Sequence, residues 1–165
     1  MSRIRGKDTR IEVYFRKLLF QKGYRYRKNV RKLPGHPDLL FRRFNTVIFI
    51  NGCFWHRHSG CRYATSPKTH TEFWMAKFAA NISRDETNRA KLLREGYKVL
   101  VIWECLVKKM MKDRELEQRV IEETLEFMID SDQDLLVLEW LYFFLSTTFH
   151  VSAMVLSCPH RRGWI

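Results

Sequence analysis

Cysteine and histidine residues form the most distinctive chemical pattern of the sequence. Cys53, His58 and Cys61 lie close together in a polar stretch, and Cys105 follows a strongly apolar run. Three thiols and one imidazole match a closed tetrahedral zinc site, which leaves no position for a substrate, so the metal would be structural. His56 is a competing imidazole, and unrelated buried cysteines are the simpler alternative. We favour a metal site, because packing gives no reason for thiols in a polar loop.

Two acidic residues are candidates for catalysis. Asp38 follows a proline at the start of a short apolar run, where a carboxylate at a strand end could hold Mg²⁺ beside a phosphodiester. A Pro-Asp pair is, however, more often a turn or a strand cap. Glu12 lies among Arg10, Arg16 and Lys17, where a solvated ion pair is the usual interpretation. Neither acid identifies a site by itself.

An aromatic set lies in and after the same polar loop. Phe54 and Trp55 lie between candidate metal ligands, Trp74 follows later, and Arg57 and Arg62 add positive charge. Aromatic rings beside cations suit stacking on bases or wedging between base steps, while the cations bind phosphates. A position in the core is the alternative, and it is strongest for Trp74 on an amphipathic helix. We expect Phe54 and Trp55 to be exposed.

The charge of the chain is strongly positive and unevenly distributed. Lys and Arg number 30 against 18 Asp and Glu, a formal charge of +12. Residues 1–44 contain 14 Lys and Arg and 3 Asp and Glu, so we expect a polyanionic partner to meet this N-terminal third. The N-terminus lacks the apolar run of a signal peptide, which indicates a reducing, cytosolic compartment. In that compartment cysteines beside histidines are metal ligands rather than disulfides.

The apolar periodicity predicts one α/β domain over residues 1–139. An amphipathic helix begins at Thr9, with Asp8 or Thr9 as its N-cap, and closes on Gly23. The next predicted elements are a half-exposed strand over 24–30, a hairpin of buried strands over 38–41 and 45–50, and an irregular functional loop over 51–71. A helix follows over 71–95, with Phe73, Met75 or Ala76, Phe78 or Ala79, and Ile82 inward. The last two predicted elements are a central strand over 98–103 and a solvated acidic helix over 113–139.

Residues 140–165 form an apolar C-terminal tail with no assigned role. From 140 to 158 His150 is the only side chain that could carry a charge, and the length approaches the roughly 20 residues of a membrane span. The Ser and Thr content and the central His150 favour an additional apolar segment over a membrane anchor.

The chain closely resembles the very-short-patch-repair (Vsr) mismatch endonucleases of bacteria. The resemblance covers about residues 1–130, and its motifs are PGHPD, then NGCFWHRHSGCRYATSPKTHTEFWMAKFAANISRD, then VLVIWEC. It implies an α/β fold of the restriction-endonuclease-like PD-(D/E)xK class, with a central mixed sheet flanked by helices and an embedded structural zinc site. Enzymes of this family nick double-stranded DNA 5′ of the T in a T:G mismatch and so start short-patch repair of deaminated 5-methylcytosine.

The matching motifs imply roles for particular residues. By resemblance, Asp38 and the backbone carbonyl of Ile50 bind Mg²⁺, and His56 is the general base that activates water. Glu12 and Asp85 resemble supporting acidic groups. The motifs imply two further sets: the structural zinc ligands Cys53, His58, Cys61 and Cys105, and the aromatic DNA wedge Phe54, Trp55 and Trp74.

Two features depart from the pattern of the family and of the wider nuclease superfamily. Asn51 stands where some relatives carry a histidine that contacts the scissile phosphate. The second strand also ends without the acid and lysine of the wider superfamily, so one direct carboxylate must hold the metal.

The expected partner is double-stranded DNA with a T:G mismatch, together with other mismatch-repair proteins. We expect a monomer in the bacterial cytoplasm, associated with the nucleoid. Two alternatives remain open at this point. One is a zinc-stabilised DNA-binding protein that has lost catalysis, and the other is a restriction-type endonuclease without mismatch preference.

Overall fold

Five strands and four α-helices make up the part of the chain that the computed structural model describes, residues 8–139. In chain order they are α1 (Arg10–Gln21), β1 (Arg27–Lys28), β2 (Leu39–Phe41), a 3₁₀ turn (Arg42–Phe44), β3 (Thr46–Asn51), α2 (Thr71–Arg94), β4 (Lys98–Trp103), α3 (Glu104–Met110), α4 (Arg114–Ile129) and β5 (Leu135–Leu138). The predicted hairpin and the predicted irregular loop between β3 and α2 are confirmed.

The strands form one mixed sheet in the order β1-β2-β3-β4-β5. The two pairings that involve β2 are antiparallel, and the β3–β4 and β4–β5 pairings are parallel. Asn51 at the end of β3 lies opposite Trp103 at the end of β4. Because β2 starts at the edge where β3 and β4 end, the fold brings Asp38, Asn51 and Glu104 to one edge of the sheet.

Helices cover both faces of the sheet. One core packs α1, α3 and α4 against strand residues such as Ile48 and Ile102, and the other packs Leu92 of α2 against Val47 and Val101. All five of these side chains are at most 1% exposed. Since both faces are covered, β3 and β4 are nearly continuous apolar runs without polar alternation. The predicted central mixed sheet flanked by helices is confirmed.

Side-chain caps explain where two helices start. Of the two predicted caps for α1, Asp8 and Thr9, the structure uses Thr9, whose hydroxyl oxygen accepts the backbone N–H of Glu12 at 3.4 Å. Asp113 caps α4 by accepting a backbone N–H at 3.0 Å. After α1, Gly23 has φ of +93°, a conformation that favours glycine.

The predicted acidic helix over 113–139 is wrong at its C-terminal end. Helix α4 ends at Ile129, and residues 135–138 form the edge strand β5, parallel to β4. Three Asp and one Ser between 130 and 134 favour a turn over a continued helix, and the LLVL run after them is a short apolar strand. Helix α4 is also only partly solvated, since Leu116 and Val120 are buried in the core.

The predicted inward face of α2 is also partly wrong. Phe78 is buried as predicted, but the inward stripe continues through Asn81 and Asp85. The periodicity of apolar residues misses this face because it borders a polar cleft. The side chains that were predicted to lie inward and are instead exposed are Phe73, Met75, Ala76 and Ile82.

The predicted strand over 24–30 is shorter than expected. Only Arg27–Lys28 pair with β2 as a regular strand. The next residue, Asn29, has φ of +50°, although its backbone N–H still donates to the carbonyl of Asp38 at 3.0 Å. The predicted alternation is nevertheless present: Arg25 and Arg27 are exposed, and Tyr24 and Tyr26 are half-buried.

Within residues 8–139, no helix is long and apolar enough to cross a membrane. The apolar tail predicted over 140–165, including its alternative as a membrane anchor, lies outside the described residues. Every element described above belongs to the segment predicted as the endonuclease domain.

Replacing Leu100 with alanine is expected to destabilise the domain strongly. Leu100 is fully buried in β4, so the truncation removes packed methyl groups and leaves a cavity. We expect the free energy of unfolding to fall by about 2–5 kcal/mol, measured by denaturant titration of the full chain. Met75→Ala is the control, because Met75 is 55% exposed. Its expected change is below about 0.5 kcal/mol, and equal losses in both variants would contradict the described core.

Candidate active site and metal centre

A deep cleft opens at the sheet edge where β3 and β4 end. Its volume is about 1340 Å³, and it is bordered by the starts of α1 and β2, the loop after β3, the middle of α2, and α3. Glu12, Asp38, Asn51, His56 and Asp85 all line it. The fold therefore brings the predicted catalytic groups from five separate segments to one place.

Asp38 is held at the edge of the sheet by the neighbouring strand. Its Oδ2 accepts the backbone N–H of Ile50 at 2.8 Å. Burial raises the pKa of Asp38 to about 6; the Ile50 N–H opposes this shift, and the nearby charge of Glu12 adds to it. A half-buried carboxylate beside a second acid is stabilised by a bound cation, so the position suits a metal ligand.

The backbone of Ile50 presents a second oxygen to the same place. In a strand, the N–H and the C=O of one residue point to the same neighbouring strand, so the Ile50 carbonyl faces the side where Asp38 lies. Extending the register beyond the Leu39–Ile48 pair places Pro37 opposite Ile50. Proline has no N–H to donate to that carbonyl. The ligand role of the Ile50 carbonyl stays a prediction.

Glu12 enters the cleft from the first turn of α1. Its Oε1 accepts a hydrogen bond from the Thr9 hydroxyl at 2.8 Å, at the helix end where the dipole favours a carboxylate. Arg16 pairs with Asp8 rather than with Glu12, and no ion pair within residues 8–139 neutralises Glu12. Glu12 instead acts electrostatically on Asp38.

His56 and Asp85 form a hydrogen-bonded pair across the cleft. Nδ1 of His56 lies 2.5 Å from Oδ2 of Asp85 on α2. The backbone N–H of His56 donates to the carbonyl of Gly52 at 3.1 Å and closes a turn over residues 52–56. The side-chain amide of Asn81 donates to the carbonyl of Trp55 at 3.1 Å, which ties this turn to α2. With Nδ1 occupied by the carboxylate, Nε2 is left to exchange a proton with a bound molecule.

The three thiols and His58 form a separate cluster beside the cleft. The ligand atoms of Cys53, His58, Cys61 and Cys105 all lie within 4.8 Å of one another. Nδ1 of His58 lies 3.6 Å from Sγ of Cys53 and 3.3 Å from Sγ of Cys105. The adjacent Cys105 thiol and burial hold the pKa of Cys53 well above its usual range, so thiolates here need a cation. The donor set fits a tetrahedral metal ion such as Zn²⁺.

The cluster contains His58 rather than the competing His56. Nε2 of His58 lies 2.9 Å from Oε2 of Glu139, and its ring stacks on Trp103 with a centroid distance of 4.1 Å. Histidines that bind metals commonly place the second ring nitrogen against a carboxylate, which fixes the orientation of the ring. His56 points to Asp85 instead.

Phe54, Trp55 and Trp74 meet in one aromatic cluster. The ring centroids of Phe54 lie 5.0 Å from Trp55 and 5.6 Å from Trp74, and Nζ of Lys77 lies 5.5 Å from the rings of both tryptophans. Buried Phe78 supports the cluster from α2, 5.2 Å from Phe54. All three rings are half-buried, so Phe54 and Trp55 are less exposed than predicted.

Comparison with known proteins gives the family of the chain. The family model described as "DNA mismatch endonuclease Vsr" matches residues 1–63. The DNA mismatch endonuclease Vsr of Escherichia coli strain K12 is 37% identical over 124 residues, which cover 74% of this chain and 79% of the E. coli protein. The chain belongs to the Vsr family.

Other relatives in the Vsr comparison are named as type II nicking enzymes. V.NmeAIP of Neisseria meningitidis is 43% identical, with 74% of this chain and 87% of the relative covered. V.XorIIP of Xanthomonas oryzae is 44% identical, with 64% of this chain and 76% of the relative covered. The resemblance inferred from the motifs is therefore confirmed.

Sequence reasoning missed three supporting side chains of this Vsr-family site. Glu104 accepts the backbone N–H of Cys53 at 3.2 Å, and Glu139 contacts the ring of His58. Asn81 donates to the carbonyl of Trp55 and so holds the turn that carries His56. Signals for two of them were present, because Glu104 directly precedes a thiol of the cluster and Asn81 lies one helical turn before Asp85. Glu139 had no such signal, since the segment over 113–139 that it ends was predicted as helix.

We expect the purified protein to contain about one zinc ion per chain. His58→Ala is expected to lower both the metal content and the thermal stability, because binding of a structural metal is coupled to folding. His56→Ala is the matched control and should keep its metal, since His56 lies against Asp85. Elemental analysis and thermal unfolding measure both effects. Full metal content in His58→Ala, or a metal-free His56→Ala, would contradict the assignment.

Proposed function

We propose that this chain is a Mg²⁺-dependent endonuclease that nicks double-stranded DNA 5′ of the T in a T:G mismatch. The nick would start very-short-patch repair of deaminated 5-methylcytosine. One observation carries the proposal: Asp38, the His56–Asp85 pair and Trp55 of the aromatic cluster line one cleft. Membership of the Vsr family and the name of the E. coli relative support it.

The proposed fold class is a variant of the PD-(D/E)xK nucleases. Pro37-Asp38 at the start of β2 supplies the first acid of that pattern. The second strand ends in Ile50-Asn51-Gly52, where the wider class has an acid and a lysine. Asp38 is therefore the one direct carboxylate, and the carbonyl of Ile50 is the second protein ligand.

Asp38 and Ile50 together fit the needs of Mg²⁺, which prefers oxygen ligands and keeps several waters. When bound, Mg²⁺ supplies a Lewis acid that polarises the scissile phosphate and stabilises the leaving oxygen. The N–H of Ile50 orients the Asp38 carboxylate, and Glu12 adds negative charge beside it.

His56 is the proposed general base. The Nδ1–H of His56 donates a hydrogen bond to Asp85, so Nε2 carries the lone pair and takes the proton from the attacking water. Asp85 also stabilises the imidazolium that forms, as a carboxylate beside a catalytic histidine does in other hydrolases. Asn51, which ends β3, can donate a hydrogen bond to the phosphate through its amide but cannot release a proton at neutral pH.

The aromatic cluster is the proposed wedge for the mismatch. Inserting rings between base steps costs a few kcal/mol of unstacking, and the cost is lower at a mismatched pair. Phe78 supports the cluster on α2, so the rings are held beside the cleft rather than on a free loop. Two rings of the wedge and the base lie within three consecutive residues, Phe54 to His56, which couples recognition to cleavage.

The Cys/His cluster is the proposed structural zinc site. The segment between β3 and α2 has no helix or strand to stabilise it, yet it carries both the base and part of the wedge. A metal with four protein ligands fixes such a segment without offering a position to the substrate.

We further propose that the protein acts as a monomer in the bacterial cytoplasm, and that other mismatch-repair proteins process the nick.

The first test uses end-labelled duplexes with one T:G mismatch or the matched T:A pair, incubated with the protein and Mg²⁺. We expect a nick 5′ of the mismatched T only, resolved on denaturing gels. Asp38→Asn is expected to abolish nicking while binding of the mismatched duplex remains, because the variant removes the metal ligand and leaves the aromatic cluster intact.

Two outcomes would reject the proposal in different ways. Cleavage of both duplexes would favour a restriction-type endonuclease without mismatch preference. Mismatch binding without any nick would favour a zinc-stabilised DNA-binding protein that has lost catalysis.

Asp85→Asn is expected to slow nicking by about 10²–10⁴-fold in kcat, because the amide neither fixes the His56 tautomer nor stabilises the imidazolium. Single-turnover nicking of the T:G duplex measures this effect. Glu86→Gln is the matched control, since Glu86 is exposed on the same helix and does not line the cleft. Similar rates for Asp85→Asn and the native chain would show that the His56–Asp85 pair has no catalytic role.

A further inference from the structure

The α3 side of the cleft carries positive charge that the proposed chemistry does not use. We call this set the basic rim. The residues of the basic rim come from two segments. One segment directly follows the cluster ligand Cys61, and the other is α3 together with the turn after it, where Cys105 is the second residue of the helix. The thiol cluster therefore joins the two segments. The rim consists of Arg62, Lys108, Lys109 and Lys112, all of which line the cleft.

One charge of the basic rim is already neutralised. Nζ of Lys108 lies 2.6 Å from Oε1 of Glu104, which also accepts the Cys53 N–H. Arg62 and Lys112 differ from it, because both are exposed and neither forms an ion pair with an acidic side chain of residues 8–139. These two cations are free to bind an anion.

Tyr63 holds Arg62 against α3. The Arg62 guanidinium donates to the Tyr63 hydroxyl at 3.0 Å, and Nζ of Lys108 lies 4.4 Å from the centroid of the same ring. The Tyr63 ring thus bridges the loop between β3 and α2 to helix α3. Because Arg62 is positioned before any ligand arrives, binding costs less side-chain entropy than it would with a free arginine.

The basic rim and the aromatic cluster lie on different sides of the cleft. Helix α2, which supports the aromatic cluster, and helix α3, which carries Lys108 and Lys109 of the rim and precedes Lys112, pack on opposite faces of the sheet. Asp38 and His56 line the cleft between them. A duplex engaged by the aromatic cluster and by Asp38 must therefore present its sugar-phosphate backbone to the rim.

We propose that Arg62 and Lys112 form a phosphate clamp that holds the backbone of the bound duplex on the α3 side of the cleft. The proposal rests on the DNA substrate of the proposed function, and requires neither mismatch preference nor nicking. Phosphate contacts position a duplex without reading its sequence. The clamp therefore holds T:G and T:A duplexes equally.

The test is the salt dependence of duplex binding by the zinc-loaded full chain without added Mg²⁺. Labelled T:G and T:A duplexes of equal length are titrated across a series of NaCl concentrations with Arg62→Ala, Lys112→Ala and the double variant. Each single variant removes one cation from a phosphate, so it should lower the slope of log K against log salt by about one, and the double variant by about two. The ratio of T:G to T:A affinity should stay unchanged.

Three controls keep the result specific. Arg62→Lys keeps the charge and should restore most of the slope. Lys91→Ala removes an equivalent charge from the exposed face of α2, outside the cleft, and should give the native slope. Zinc content and thermal unfolding of every variant show whether it has folded, and Lys112→Ala tests the clamp independently if Arg62→Ala has not.

An unchanged slope in the double variant would overturn the clamp. A changed T:G to T:A ratio at constant slope would also overturn it, because it would indicate a base contact. Absence of duplex binding by the native chain would overturn both the clamp and the proposed function. Binding with the expected slope change but without any nick would overturn only the proposed function.

Discussion

The rest of the site depends on the cluster of three thiols and one imidazole that joins the loop after β3 to the start of α3. The loop has no helix or strand of its own, so few backbone hydrogen bonds fix its shape. The cluster ties the loop to the sheet, and Trp103 and Glu139 orient the cluster histidine. The loop carries His56 and part of the aromatic cluster, and this junction holds it on the α3 side, while Asn81 and Asp85 hold it to α2.

Most of the fold and the site followed from the sequence where the residue pattern had a single physical explanation. Buried strands with both faces covered are continuous apolar runs, so β2, β3 and β4 were predicted with nearly correct bounds. The spacing of the cysteines and histidines in a polar loop predicted a metal site, and the family motifs predicted which acidic residues line the active site. Sequence spacing alone left His56 and His58 as competing ligands. The structure separates them, because His58 contacts the thiols and His56 contacts Asp85.

The errors have a common cause, which is that local pattern does not reveal long-range partners. Strand β5 looked like the end of a helix because its neighbour β4 is distant in sequence. The inward face of α2 was predicted from apolar residues, but that helix borders a polar cleft, so Asn81 and Asp85 lie inward and Phe73 lies outward. Glu139 was invisible for the same reason, since its partner His58 is 81 residues away.

The sequence separations among the residues of the Cys/His cluster have a kinetic consequence. His58 meets Cys105 across 47 residues and Glu139 across 81, whereas the contacts within each helix are local. Closing such long loops costs chain entropy before the contacts that compensate for it can form, so non-local pairings form slowly. The metal cluster is therefore expected to close late in folding, after the helices. Until it closes, the helices can already be formed while the loop that carries the base and part of the wedge has no fixed conformation.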